Sequence, residues 1–263
     1  MKVRYQYGGK DDAPVILFFN GLEMQEMWMP YAEELGKKYR FLIYEYPFHT
    51  TNADEQIDFA AKLLKALSIE KVILLGASDG GVYAQIFAKR HPESVLSMIL
   101  TTTLTVDSDY VRDIKRERFS TPLFLFLLKL VPAKIEMKLL LKKSKGFLEC
   151  ESEDNREYGR GFYETVASDL NYKKRFIHSF KCVYMLKDYP YFKESDFEYL
   201  RGKIQVLIPK KDIFKKEDQN RLADLFRKLD AEILNVPGGH VGFIVQSEYY
   251  IDLMEKFLEK NMI

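Results

Sequence analysis

One serine, flanked by glycines where an apolar strand gives way to an amphipathic helix, constrains this chain more than any other feature. The string KVILLGASDGGVYAQIFAKRHP contains Gly76-Ala77-Ser78-Asp79-Gly80, a G-x-S-x-G pattern. A side chain exposed on a sharp strand-to-helix turn needs a strained backbone, so the residues two before and two after it must be tiny. Gly76 and Gly80 fill those places, and Ala77 adds no bulk. The helix that follows offers free N–H groups and the positive end of its dipole to developing negative charge. A glycine-rich turn of this kind also cradles phosphates in other proteins. The P-loop form is excluded because no G-K-[ST] follows, and the G-x-G-x-x-G dinucleotide spacing is absent. Ser78 is therefore read as a nucleophile.

The surroundings of that turn predict an α/β fold with a mostly parallel central sheet and helices on both faces. Short β-rich apolar runs at 15–20, 40–47, 71–78, 95–103, 203–210 and 231–237 alternate with helix-period segments. Their near-continuous apolarity fits strands covered on both faces. One helical stripe holds Ile57, Ala60, Ala61, Leu64 and Leu67, with Asn52 and Asp54 as candidate caps. A second holds Val82, Tyr83, Ile86 and Phe87 and stops before Pro92. Tyr250, Ile251, Met254, Phe257 and Leu258 give a C-terminal helix its buried face.

Residues 107–196 break the alternation. They are helix-period, Lys-rich and Tyr-rich, and far longer than structureless loops, which rarely exceed about 15 residues. The expectation is a helical cap inserted into a core made of 1–106 and 197–263. Within it, TPLFLFLLKLVPAKIEMKLLLKK is apolar almost all round in its first half and alternates Leu with Lys in its second. Such a segment fits a lid with an apolar groove for an acyl chain, or one resting on a membrane surface. Two ordinary cap helices burying leucines against the core are the reading preferred here, because apolar stripes at helical spacing are usually core.

Composition sets outer limits. The 263 residues carry a formal charge of +1, which argues against a nucleic-acid partner, since that normally needs a strongly basic face. Two cysteines, Cys150 and Cys182, give neither a disulfide framework nor zinc-ligand spacing, and free thiols suit a reducing cytoplasm. The N-terminal residues alternate like a strand and lack a signal peptide's apolar stretch. The longest apolar run, 122–128, is too short for a transmembrane segment. A homodimer is compatible with this composition.

A serine hydroxyl needs an adjacent base, itself oriented by a third group. Of the four histidines, His240 follows the last strand in a flexible PGGH turn that can aim an imidazole over the strand ends. His49 is its rival, in a loop at the same sheet edge. His91 ends a helix and reads as structural, while His178 reads as a solvated cap histidine or a substrate contact. Asp212 ends the strand KIQVLIPKKD at the same sheet edge, and Asp107, after ILTTT, is the alternative acid.

Several strings in order resemble the α/β-hydrolase fold family over nearly the whole chain outside the cap. VILFFNGLEMQEMW resembles the strand and oxyanion loop, LGASDGGVYA the nucleophile elbow, IPKKDIF the acid-bearing loop and VPGGHVGF the histidine loop. The resemblance implies a catalytic set of Ser78, Asp212 and His240, in the family's chain order. It implies an oxyanion hole made by the main-chain N–H groups of Leu22 and Asp79, and no metal or organic cofactor. The chain departs from the family where Asn20-Gly21 replaces His-Gly, where EYPFHT lacks the usual glycines and Phe48 becomes a candidate pocket wall, and where Pro209 replaces a common glycine. The implied activity is hydrolysis of a carboxylic ester or thioester, on a small-molecule acyl substrate with an apolar part. C–C hydrolysis, peptide hydrolysis and acyl transfer use the same residues, although the elbow does not match the Gly-Gly-Ser-Trp-Gly of proline-trimming peptidases. A ligand-binding, receptor-like member of the fold is the reading from another class.

Overall fold

Near-continuous apolar runs become the inner strands of one seven-stranded sheet. The computed structural model describes residues 4–117, 119–169 and 171–261. The strands are β1 (Tyr5–Gly9), β2 (Val15–Phe19), β3 (Arg40–Tyr44), β4 (Val72–Ala77), β5 (Val95–Thr101), β6 (Ile204–Lys211) and β7 (Glu232–Gly239). Their spatial order is β1-β3-β2-β4-β5-β6-β7, with β1 antiparallel to β3 and every other pair parallel. Every residue of β2 and β4 is buried, as expected for parallel strands covered on both sides.

The period-two alternation sorts these strands' side chains into two cores. Leu17, Phe19, Leu74, Leu100 and Val206 pack with α2 (Ala53–Ala66), α3 (Asp79–Arg90) and α9 (Lys216–Arg227) on one face. Ile16, Phe18, Ile73, Leu75, Ile99 and Leu207 meet α1 (Met29–Leu35) and α11 (Ser247–Asn261) on the other. The expected helical faces are present: Ile57, Ala60 and Leu64 of α2 are buried, and so are all five apolar positions named for the C-terminal helix. Asn52 caps α2, its Oδ1 accepting the Glu55 N–H at 2.9 Å.

The chain between β5 and β6 is helical, with no strand among its described residues. It holds α4 (Ser108–Arg116), α5 (Ser120–Leu130), α6 (Ala133–Leu148), α7 (Glu153–Ser168) and α8 (Tyr172–Met185). The preferred reading of its leucine-rich start needs correction. In α5 only Leu128 is buried, and the other leucines and phenylalanines face outward or lie at the margin.

Everything that positions the site happens where the parallel strands end. The loop after β2, the turn from β4 into α3, and the segments after β6 and β7 all leave the same sheet edge. At the turn, β2 and α3 approach so closely that a Cβ on Gly80 would stand 2.2 Å from the Phe19 carbonyl oxygen. A Cβ on Gly76 would lie 2.6 Å from the Gly80 oxygen. Gly80→Ala therefore lowers unfolding free energy by about 3 kcal/mol or more in a denaturant titration, since neither backbone has room to move. Gly161→Ala, in the middle of α7 with nothing near its Cβ, should raise it by roughly 0.5–1 kcal/mol. Equal effects at the two glycines would show that the crossing is looser than this geometry requires.

Candidate active site

Ser78 sits between β4 and α3 with φ 54° and ψ −129°, a backbone that L-residues rarely adopt. Its carbonyl accepts the Thr103 hydroxyl at 2.5 Å, and its N–H donates to the Thr101 carbonyl at 3.3 Å, so the end of β5 and the residues just after it hold the turn. The strained turn lifts Oγ to the sheet edge, where it meets His240 Nε2 at 3.2 Å. On the ring's other side, Nδ1 lies 2.8 Å from Asp212 Oδ1. An ionised carboxylate only accepts, so Nδ1 carries the proton towards Asp212 and Nε2 is left as acceptor for the serine hydroxyl. The Asp212 side chain is 1% exposed, and its Oδ1 also accepts the Phe214 N–H at 3.1 Å. Phe214 stands edge-on to the imidazole, 5.0 Å between centroids.

The two alternatives raised by the sequence fall elsewhere. Asp107 caps α4, accepting the Tyr110 N–H at 2.8 Å, and pairs with Arg221 at 2.6 Å. His49 is exposed, and the ring nitrogens that meet Ser78 and Asp212 are those of His240. His91 packs against Phe87 at the end of α3, 4.9 Å between ring centroids. Phe48 is exposed and packs edge-on against His178; it does not wall the cavity, as had been expected. Asn20 holds its loop, its amide donating to the Tyr44 carbonyl at 3.0 Å, while its own N–H donates to the Tyr46 hydroxyl at 2.8 Å.

The loop after β2 places two consecutive non-glycine residues at positive φ, Leu22 at 46° and Glu23 at 56°. The Leu22 N–H points at the elbow but is not vacant: it donates to Asp79 Oδ1 at 2.7 Å. The other oxygen, Oδ2, accepts the Ser179 hydroxyl at 2.9 Å. Burial raises the Asp79 carboxyl above its ordinary range, and the N–H groups of Leu22 and of Asp79 itself, with Ser179, pull it partly back. Of the two main-chain donors expected to face a reacting oxygen, that of Leu22 is thus engaged by the Asp79 carboxyl.

Sequence reasoning missed what holds this loop. On α8, Tyr172, Arg175, His178 and Ser179 form one face turned to it. The Tyr172 hydroxyl donates to the Leu22 carbonyl at 3.3 Å, and Arg175 donates to the Glu23 carbonyl at 3.2 Å and to Glu26 at 3.1 Å. His178, expected to be solvated or to touch substrate, is instead buried and paired through Nδ1 with the buried Glu23. Its Nε2 donates to the Thr50 carbonyl at 2.8 Å, which leaves Nδ1 and Glu23 to share a further proton. Burial works against the charged imidazole, but hydrogen bonds to Cys182 and Glu23 outweigh it and raise His178 from its ordinary 6.5 to about 10. A second anchor comes from Glu151, whose carboxylate accepts the Gly239 N–H at 2.7 Å and the Gln246 amide at 2.6 Å, bracing the turn that carries His240. The residue spacing on α8 was the one available signal, since Tyr172, Arg175 and Ser179 recur at helical period.

Beside Ser78 opens a cavity of about 360 Å³. Its walls are mostly apolar, with Met24, Met27, Phe147, Phe180, Ile213 and Phe243 among them. Cys150 and Cys182 are unpaired thiols, and Cys182 is buried beside His178.

A sequence profile described as the alpha/beta hydrolase fold matches residues 14–246. No curated protein sequence matches the chain. Among solved structures, an alpha/beta hydrolase enzyme, MGS-M2, from a Medee basin deep-sea metagenome library is similar at 18% identity and a TM-score of 0.75, over 98% of this chain and 94% of its own. A structure from a study of carboxylesterases of the ammonia-oxidizing thaumarchaeon Nitrososphaera gargenis is 17% identical with a TM-score of 0.72, covering 99% and 95%. The enol-lactonase from Burkholderia xenovorans LB400 is 16% identical with a TM-score of 0.69, covering 98% and 96%. At these identities the likeness is one of fold.

The His178–Glu23 pair has a measurable signature. Because the folded-state value of His178 lies above the ordinary one, its contribution to stability is complete below about pH 6.5 and is lost as pH rises through about 10. Burial also raises Glu23, to about 7, and removing His178 alone would raise it further, so the reference must lack both groups: the gap in Tm between wild type and Glu23→Gln/His178→Gln should narrow as pH is raised from 6.5 towards 10. A gap that stays constant over that range would mean that the imidazole carries no extra proton.

Proposed function

The chain belongs to the alpha/beta hydrolase fold family, and on that premise we propose that it is a serine hydrolase cleaving a carboxylic ester or thioester through an acyl-enzyme on Ser78. The observation that carries this reading is the unbroken relay from Ser78 Oγ through His240 to Asp212 at the strand ends. His240 Nε2 takes the hydroxyl proton as Oγ attacks the acyl carbon, and the new imidazolium is stabilised by the Asp212 carboxylate. The same proton then passes to the departing alcohol or thiol as the tetrahedral intermediate collapses. Water next enters, gives a proton to Nε2 and attacks the acyl-enzyme, which releases the acid and restores Ser78.

The oxygen of the tetrahedral intermediate is assigned to the N–H groups of Leu22 and Asp79, donors of the kind that contribute on the order of 3 kcal/mol each. Since the Leu22 N–H is donated to the Asp79 carboxylate at rest, turnover requires that carboxylate to swing away or take up a proton. The apolar cavity beside Ser78 suits an acyl chain, and the helices of 107–196 act as the cap that closes it; Phe147, Tyr163, Phe180 and Val183 from that segment line its walls.

Three substitutions test this. Ser78→Ala should abolish both fluorophosphonate labelling and turnover of p-nitrophenyl esters while leaving the circular dichroism spectrum unchanged; labelling that persists in Ser78→Ala would remove the serine from the mechanism, and its absence from wild type would favour a receptor-like protein. Asp212→Asn should lower kcat by roughly 10³–10⁴, the loss expected when the histidine is held in the wrong tautomer. Asp79→Ala removes the competitor but keeps the main-chain donor, so kcat/KM for a short neutral ester should rise by about tenfold, the worth of one charge-assisted hydrogen bond. A fall instead would make the carboxylate a participant and not an obstacle.

A further inference from the structure

The least expected surface of the molecule is the outward side of α5 and the start of α6. Leu123, Phe126, Leu127 and Leu130 are 58%, 59%, 50% and 67% exposed. Their spacing of three, four and seven residues makes a continuous helical stripe, but one turned to solvent and not to a core. Ile135 and Leu139, one turn apart on α6, are exposed as well. Apolar stripes of this kind mark contact surfaces when they lie contiguous and rimmed by polar groups.

The rim here has one sign. Lys129, Lys134, Lys138, Lys142, Lys143 and Lys145 are all exposed, and among the described residues none of them forms an ion pair. The one acidic residue between 120 and 148, Glu136, is buried and faces Lys173 at 3.9 Å. In a chain whose overall formal charge is +1, this concentrates positive charge around the apolar stripe. A second copy of the chain seated on the stripe would bring these lysines against their own equivalents. A surface with an apolar interior and anionic headgroups is complementary to both features. The helix itself is too short to span: its 11 residues rise about 16 Å against a hydrocarbon layer of about 30 Å.

We propose that α5 and the start of α6 seat this protein on an anionic lipid bilayer, lying in its interface. Phe124 of α5 packs on Phe180 of α8, 6.0 Å between centroids, and Phe180 lines the cavity beside Ser78. Phe124 and Phe180 thus link the exposed face of α5 to the cavity, the direction an acyl chain leaving the bilayer would take. The docking stands independently of the proposed hydrolysis, whereas this acyl route rests on it.

The test is flotation of the full chain with vesicles of phosphatidylcholine alone and of phosphatidylcholine mixed with phosphatidylglycerol, at low and high salt. Wild type and Ser78→Ala should both float with the anionic vesicles, less so at high salt, and neither with the neutral ones. The double variant Leu127→Asp/Leu130→Asp should bind at least about tenfold more weakly, as should Lys138→Glu/Lys142→Glu. All four side chains are exposed, so both variants should keep the wild-type melting curve and turnover of a short soluble ester. Wild type that stays in the bottom fraction, or the aspartate variant floating like wild type, would overturn the proposal. So would a wild-type dimer in sedimentation equilibrium that Leu127→Asp/Leu130→Asp dissolves, because the stripe would then be a self-interface. If Ser78→Ala floats but wild type turns over no ester, the docking survives and the hydrolase reading does not.

Discussion

The approach of three backbones at the end of β4 fixes the geometry of everything around it. Ser78 can hold φ 54° only because Gly76 and Gly80 let β2 and α3 close on each other, and because Thr103 ties down the serine's own carbonyl. Strain of this kind costs on the order of 1–3 kcal/mol and persists only where the surroundings over-determine it. Here the surroundings are β2, β4 and β5, central strands with almost every side chain buried. A loose turn in their place would leave the serine hydroxyl free to wander from His240, and the relay to Asp212 would have nothing to start from.

The helix α8 extends that rigidity across the boundary between the sheet and the inserted helices. Four of its residues hold the loop after β2 or the carboxylate of Asp79, while Phe180 and Val183 on the same helix line the cavity. Glu151 does the corresponding work for the turn bearing His240. The segment between β5 and β6 is thus bonded both to the loop after β2 and to the turn bearing His240. A buried pair such as Glu23–His178 is a weak source of net stability but a strong constraint on geometry, since neither partner can leave without stranding the other.

Much of this architecture was legible from residues alone. Near-continuous apolar runs located the inner strands to within a few residues, because strands buried on both faces carry an unusually plain signal. Glycines around Ser78 announced the elbow, and a histidine following the last strand in a Pro-Gly-Gly turn could be aimed only at the sheet edge. Asp212 was preferred to Asp107 only through the family resemblance, since both follow strands that end at that edge; in the structure it is Asp212 that lies 2.8 Å from His240 Nδ1, while Asp107 pairs with Arg221 at the start of α4. The burial of His178 was equally invisible. Its partner Glu23 lies 155 positions away, and long-range pairing leaves no local pattern. The exposed face of α5 was misread for a related reason: apolar spacing identifies a stripe but not the side on which its neighbours stand.

The carboxylate of Asp79 on the Leu22 amide has a bearing on how such a site answers to reagents. Most small inhibitors of serine enzymes, boronic acids among them, derive affinity from placing an anionic oxygen on vacant main-chain donors. On the proposed hydrolase reading, the Leu22 donor is already taken by a carboxyl group held beside it on the same chain, against which a free ligand must compete. On that reading, the affinity of a boronate at Ser78 would report the displacement of the Asp79 carboxyl from the Leu22 N–H as well as the fit of the adduct.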